Sequence, residues 1–154
     1  MTRPVLLLLL CFSAAAASGA PAGADRVLGL WLTEKADAQV RIERVGDRYQ
    51  GAIVWLKEPL YPADDEQGMA GRIKVDRENP HQDKRAQPII GLRIVAGFRF
   101  DGELWREGTI YDPENGKTYK CKMWFDGETL RVRGYIGFAL LGRSTSWTRV
   151  REKP

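Results

Sequence analysis

Histidine is nearly missing from this chain of 154 residues: His81 stands alone, and cysteine occurs only at Cys11 and Cys121. So few soft ligands exclude a zinc site built from cysteine and histidine, which takes about four of them. They also leave His81, in the most polar stretch of the sequence, as the one histidine base for a nucleophile. Glycine-rich phosphate motifs are missing as well, because no glycine precedes a recognisable helix. The segment "DPENGK" offers Asp112, Glu114 and Asn115 as oxygen ligands without the full spacing of a calcium loop. Asp64 and Asp65 form a carboxylate pair with no apolar surroundings to raise a pKa. The expectation is no catalytic residue, no metal and no cofactor, and nothing here specifies a reaction.

Long apolar runs are confined to the start. Arg3 precedes a run from Val5 to Ala17, followed by small residues up to Ala22, Gly23 and Ala24. This is the pattern of a secretory signal peptide. The run stops short of the roughly 20 apolar residues that a membrane-spanning helix needs. Cys11 follows five leucines, which is unlike a lipobox. Residues 1–24 therefore read as a signal peptide cleaved near Ala24, and 25–154 as one domain without a membrane span, periplasmic or secreted. Cys121 is then the only cysteine of the mature chain, without an internal disulfide partner, and reads as a small buried residue.

Net charge is too small to argue for nucleic acid, but its distribution is uneven. Residues 117–154 hold nine Lys or Arg against three acids, while 25–116 hold fourteen against seventeen. A basic final third suggests an anionic group nearby, either a ligand head group or an acidic surface, or else solvated surface charge.

The dominant period after residue 28 is two, the signature of half-buried strands. Strands are expected at 28–33, 39–45, 48–56, 89–100, 103–111, 118–125, 129–136 and 143–150. Gly46-Asp47, Asp101-Gly102, Asn115-Gly116 and Asp126-Gly127 form tight turns between successive strands. Eight consecutive antiparallel strands remove their two edges by closing into an up-and-down barrel, with a two-sheet sandwich as the competing architecture. Residues 57–88 break the rhythm and read as a long loop, either a flap over one mouth or a solvated insertion, with one helical turn at "HQDKRAQ".

A barrel of this size holds side chains or one small ligand. Trp55, Phe98, Trp124, Phe138 and Trp147 are expected as pocket wall or core. Arg131, Arg133 and Tyr135 share one strand phase and can supply polar contacts, or they can lie in solvent.

Five stretches, "GLWLTE" at 29–34, "YQGAIVWLKEP" at 49–59, "PIIGLRIVAGFR" at 88–99, "GTIYDPENGKTYKCKM" at 108–123 and "RVRGYIGFALLGRSTSWTRV" at 131–150, resemble a bacterial secreted family, domain of unknown function 2147. The resemblance implies a lipocalin-like or fatty-acid-binding-like barrel and a small hydrophobic or amphipathic ligand. An alternative is an envelope interaction protein with a filled barrel, acting through its long loop or an exposed strand face. Gly29-Leu30-Trp31 is similar to the Gly-x-Trp of the first lipocalin strand, whose tryptophan packs against an arginine of the last strand. That likeness implies a structural closure by Trp31 and Arg149. Arg133-x-Tyr135 resembles the Arg-x-Tyr that holds a carboxylate in fatty-acid-binding barrels.

Overall fold

The structure, a computed structural model, describes residues 21–135 and 142–151. The signal peptide expected at 1–24 lies outside the described residues except for its last four, and Phe138 lies outside them entirely. Eight strands follow a 3-10 turn at Ala24–Val27: β1 Gly29–Leu32, β2 Ala38–Val45, β3 Arg48–Leu56, β4 Arg93–Phe100, β5 Trp105–Asp112, β6 Lys117–Asp126, β7 Thr129–Tyr135 and β8 Arg143–Arg149. Each pairs antiparallel with its sequence neighbours, and β8 returns to β1, so the sheet is a closed barrel.

Alternation explains why these segments are strands. In β2, Ala38, Val40 and Ile42 are buried while Gln39, Arg41 and Glu43 are not, and in β7 Leu130 and Val132 are buried between less buried neighbours. One face of each strand thus leaves water, and closure brings the apolar faces together.

Closure itself is economical. The β1–β8 ladder has two residue pairs, Trp31 with Arg149 and Leu32 with Thr148. On one side the contact continues with Val150 N–H donating to the Leu30 carbonyl at 2.9 Å; past Leu32 the Ser146 N–H donates instead to Glu34 Oε1 at 3.2 Å, a side-chain carboxylate in place of a backbone carbonyl.

The barrel is filled at one end. Trp31, Phe125 and Trp105 form a ring chain with centroids 5.7 Å apart at each step, and Phe100 and Tyr49 approach Trp105 at 4.7 and 6.3 Å. The 3-10 turn belongs to the same core, with Ala24 and Val27 buried. Its position is fixed by Trp31 Nε1, which donates to the Val27 carbonyl at 2.8 Å. Arg149 lies over the Trp31 ring and donates to the Leu28 carbonyl.

The long connection is ordered and runs four residues further than its composition suggests, with β4 beginning at Arg93. Antiparallel bridges join Leu60 to Ile73 and Val75 to Pro88, and the helical turn is a 3-10 turn at Gln82–Lys84. Its end is sewn onto β3, where Gly91 N–H donates to the Ile53 carbonyl and Ile53 N–H to the Leu92 carbonyl. No helix among the described residues is long and apolar enough to cross a membrane.

Candidate functional site

The other end of the barrel is hollow. A cavity of about 1030 Å³ opens there, with an apolar base formed by Ile53, Ile94, Ile110, Val132 and Trp147. Ile89, at the end of the long connection, contributes to the same wall. Four of the chain's five tyrosines, Tyr61, Tyr111, Tyr119 and Tyr135, also line it. Charged residues come from the β1–β2 loop, the β5–β6 hairpin and the long connection, so the connection is a flap that forms part of the cavity.

Strand parity decides which side chains reach this space. Leu130 pairs with Trp147 and Val132 with Thr145, so these positions face the lumen. Arg131 and Arg133 occupy the opposite phase and do not line the cavity; Arg131 Nη1 donates instead to Ser146 Oγ. An inward Arg131 or Arg133 would have required the apolar Leu130 and Val132 to turn outward. Trp124 pairs with Arg131 on that same outer side, next to buried Met123, and is not a wall residue either.

Trp55 is displaced by a bulge. Val40 pairs with Ile53 but Gln39 pairs with Trp55, so Val54 is an extra residue and the phase of β3 shifts there. Leu56, opposite Ala38, lines the cavity, while Trp55 is 40% exposed. Phe98 is wholly buried, but it lies in the packed core rather than on the cavity wall. Of the residues expected at the site, Tyr135 and Trp147 line it.

Sequence reasoning missed the flap contribution. Asp76 is fully buried at 0% exposure and accepts from Tyr111 Oη at 2.6 Å and from Asn79 Nδ2 at 2.6 Å. Burial and this bond push the Tyr111 hydroxyl well above the usual tyrosine range. It therefore stays a neutral donor that ties the flap to β5. A second lock joins Arg77 Nη1 to Asp65 Oδ1 at 2.7 Å inside the flap, with the guanidinium 4.4 Å from the Tyr61 ring centroid. The Arg77 bond holds the Asp65 carboxyl below its ordinary range, helped by the Met69 N–H. The flap also rests on the β5–β6 turn: a Cβ at Gly116 would stand 1.9 Å from the Glu78 carbonyl oxygen, so only glycine fits. The signal for this was the short alternation Ile73-Lys74-Val75-Asp76, which puts the acid opposite in phase to Val75 and Ile73.

The groups weighed for catalysis lie outside the cavity or are already engaged. His81 is exposed and does not line the cavity, and Asp65 is committed to Arg77. Among the described residues no His, Cys, Asp and Glu cluster has the makings of a metal site. Cys121 is buried, and burial pushes its thiol up to about 12, so it is an inert core residue at neutral pH.

A closed, consecutive eight-stranded barrel with a hollow end, and a closed end sealed by a tryptophan of the first strand and an arginine of the last, defines a lipocalin-like protein. The chain belongs to the family described as "Uncharacterized protein conserved in bacteria (DUF2147)", which matches residues 29–149. No curated protein matches the sequence. A similar solved structure is protein HP1028 from Helicobacter pylori, assigned to the lipocalin family, with 16% identity, coverage of 81% of this chain and 83% of that one, and a TM-score of 0.66. At that identity the likeness concerns the fold.

Proposed function

We propose that this protein binds a small amphipathic ligand, apolar part down in the lumen against Ile94, Val132 and Trp147, polar part at the tyrosine-rich mouth beneath the flap. The cavity of about 1030 Å³ carries this reading. It lies at the upper end of the range of small-molecule sites, and its apolar floor with a few fixed polar groups has their general form. A barrel acting only through its outside would have had no reason to leave one end of its lumen unfilled, since each unfilled void forfeits packing energy. Seven acids and five bases line the space, and Arg133 is not among them, so the mouth offers a carboxylate no net attraction.

Titration with N-phenyl-1-naphthylamine, a neutral apolar fluorophore, tests the reading. Emission should rise and saturate, with energy transfer from Trp147. Val132→Trp, which fills the cavity, should abolish the rise while leaving the circular dichroism spectrum intact. Absence of saturable binding, or full binding to Val132→Trp, would reject the cavity as a site.

Export to the periplasm or beyond is part of the proposal, with the leader removed. Ala24 is wholly buried in the core that plugs the closed end, which supports a mature chain that keeps Ala24. Mass spectrometry of the protein from the periplasmic fraction reads the new N-terminus directly. A start at Gly23 is expected, because Ala20 and Ala22 supply the small residues a signal peptidase requires.

A further inference from the structure

We infer that the outer face of the flap and of the adjoining end of β3 docks on a lipid surface. Six large apolar side chains are exposed among the described residues, and five of them, Val54, Trp55, Leu60, Ile73 and Ile90, come from this one region at 39–57% exposure. Backbone hydrogen bonds set them side by side. Gly91 N–H donates to the Ile53 carbonyl, which brings Ile90 next to the Val54 end of β3. Ile89 N–H donates to the Lys74 carbonyl, which brings Ile90 next to Ile73 as well, and Ile73 is bridged to Leu60. The bulge in β3 leaves Trp55 outside with Val54. Apolar side chains scattered singly over a surface are ordinary, whereas a contiguous row marks an interaction site.

The inner side of the same layer is apolar too: Ile53, Tyr61 and Ile89 are buried and line the cavity. A sheet layer apolar on both faces is ordinarily covered on both. The nature of the cover follows from shape and charge. The row stands on the outside of the wall and lines no part of the cavity, which suits a fluid phase that needs no matching relief. The segments that carry it, 54–60, 72–74 and 88–93, hold Lys57, Arg72, Lys74 and Arg93 against Glu58 alone, which lies 4.0 Å from Lys74. Other acids close by in the chain or sheet lie outside these segments: Glu43 opposite Gln50, and Asp64 and Glu66 beyond Tyr61. Asp37, whose carbonyl accepts from Lys57 N–H, turns its carboxylate to Thr33 at the cavity. The row is therefore complementary to a bilayer containing anionic lipid, and Trp55 completes the mixture of aliphatic, aromatic and basic side chains that settles at such an interface.

Flotation of the mature chain with vesicles of phosphatidylethanolamine and phosphatidylglycerol tests this. The chain should float with the vesicles, and part of the binding should persist at high salt, because apolar contact is not screened. Ile73→Ser with Ile90→Ser should weaken binding by at least about tenfold. Both side chains are exposed, so the melting temperature should hold. Val45→Ser removes the sixth exposed apolar side chain, at the end of β2, and should leave binding unaltered. Brominated lipid should quench tryptophan emission, and Trp55→Phe should lose that quenching while still floating. Failure to float, equal loss from Val45→Ser, or undiminished quenching in Trp55→Phe would each overturn the assignment. A dimer that forms without vesicles and is dissolved by the serine pair would give the face to a second copy of the chain instead.

Discussion

The guanidinium carbon of Arg149 lies 4.3 Å from the centroid of the Trp31 indole, and the same group donates to the backbone carbonyls of Leu28 and Arg26. One side chain thus connects the last strand to the first and to the segment that plugs the closed end. With only two ladder pairs between β1 and β8, this contact is a substantial part of what shuts the barrel.

Arg149→Ala should therefore lower stability. Arg149 is exposed, so water replaces part of what is lost, and a cost of about 1–2 kcal/mol follows from one cation–π contact and two charge-assisted hydrogen bonds. Arg149→Lys keeps the charge without the planar fork and should recover less than half of it. Denaturant melts of the three proteins decide the matter: a lysine variant as stable as the parent would show that charge alone closes the barrel. Binding of the apolar fluorophore at the opposite end should be unchanged.

The barrel was legible because period two is a property of single strands, and because tight turns leave consecutive strands no option but to pair. Trp31 with Arg149 was legible through resemblance, which supplied a pairing between residues over a hundred positions apart. The cavity wall was only partly so. Trp147 follows from strand phase, and Tyr135 lines the cavity from the end of β7 although it shares the phase of Arg131 and Arg133, whereas Trp55 was misplaced because a bulge arises between two strands and leaves no mark on the alternation of either. Arg131 and Arg133 have a parity that the buried Leu130 and Val132 already determine. Tyr61, Asp76 and Arg77 entered the site through tertiary folding of the flap, whose charge-rich composition conceals two bridges and a buried carboxylate.

The flap depends on Tyr111. Tyr111→Phe removes a donor from fully buried Asp76 and leaves Asn79 as its remaining side-chain partner. Leaving a buried acceptor short of a partner costs about 1–3 kcal/mol. The loss should be local: hydrogen exchange of amides at 57–92 should accelerate while those of β6 and β7 hold, and fluorophore dissociation should quicken. Uniform acceleration across the barrel would show that the bond supports the whole fold rather than the flap.

Gly108 is the point where the filled half of the barrel is tightest. A Cβ there would stand 2.2 Å from Cδ2 of Phe98, on a ring that has no room to retreat. Gly108→Ala should cost about 1–3 kcal/mol, the usual range for overpacking a core. Phe98→Leu should rescue it, so that the double variant is more stable than the sum of the two single changes predicts. Strict additivity in thermal melts would mean that the two side chains do not compete for the same space.

Cys121 is a reporter of global unfolding. Its thiol is buried beside β7 and held up at about 12, so at mildly alkaline pH the native chain should resist an aromatic disulfide reagent that labels free thiols within seconds. Labelling should proceed only at the rate of unfolding and rise with denaturant in step with the loss of circular dichroism. Rapid labelling of native protein would place the thiol in a region that opens on its own.

Acid should loosen the flap before the barrel. Arg77 and the Met69 N–H hold the Asp65 carboxyl below its unfolded value, so near and below pH 4 the opened flap takes up a proton that the closed flap refuses. Closure is then favoured in full above the ordinary carboxylate range and weakens as pH falls through it towards the depressed value. Limited proteolysis at 57–92 should accelerate over that interval, with β-sheet content retained. Asp65→Asn loses the charge at every pH, so its flap should be cut at a faster rate at neutrality and show little further change on acidification. An acid-labile flap in Asp65→Asn matching the parent would assign the transition to another carboxylate.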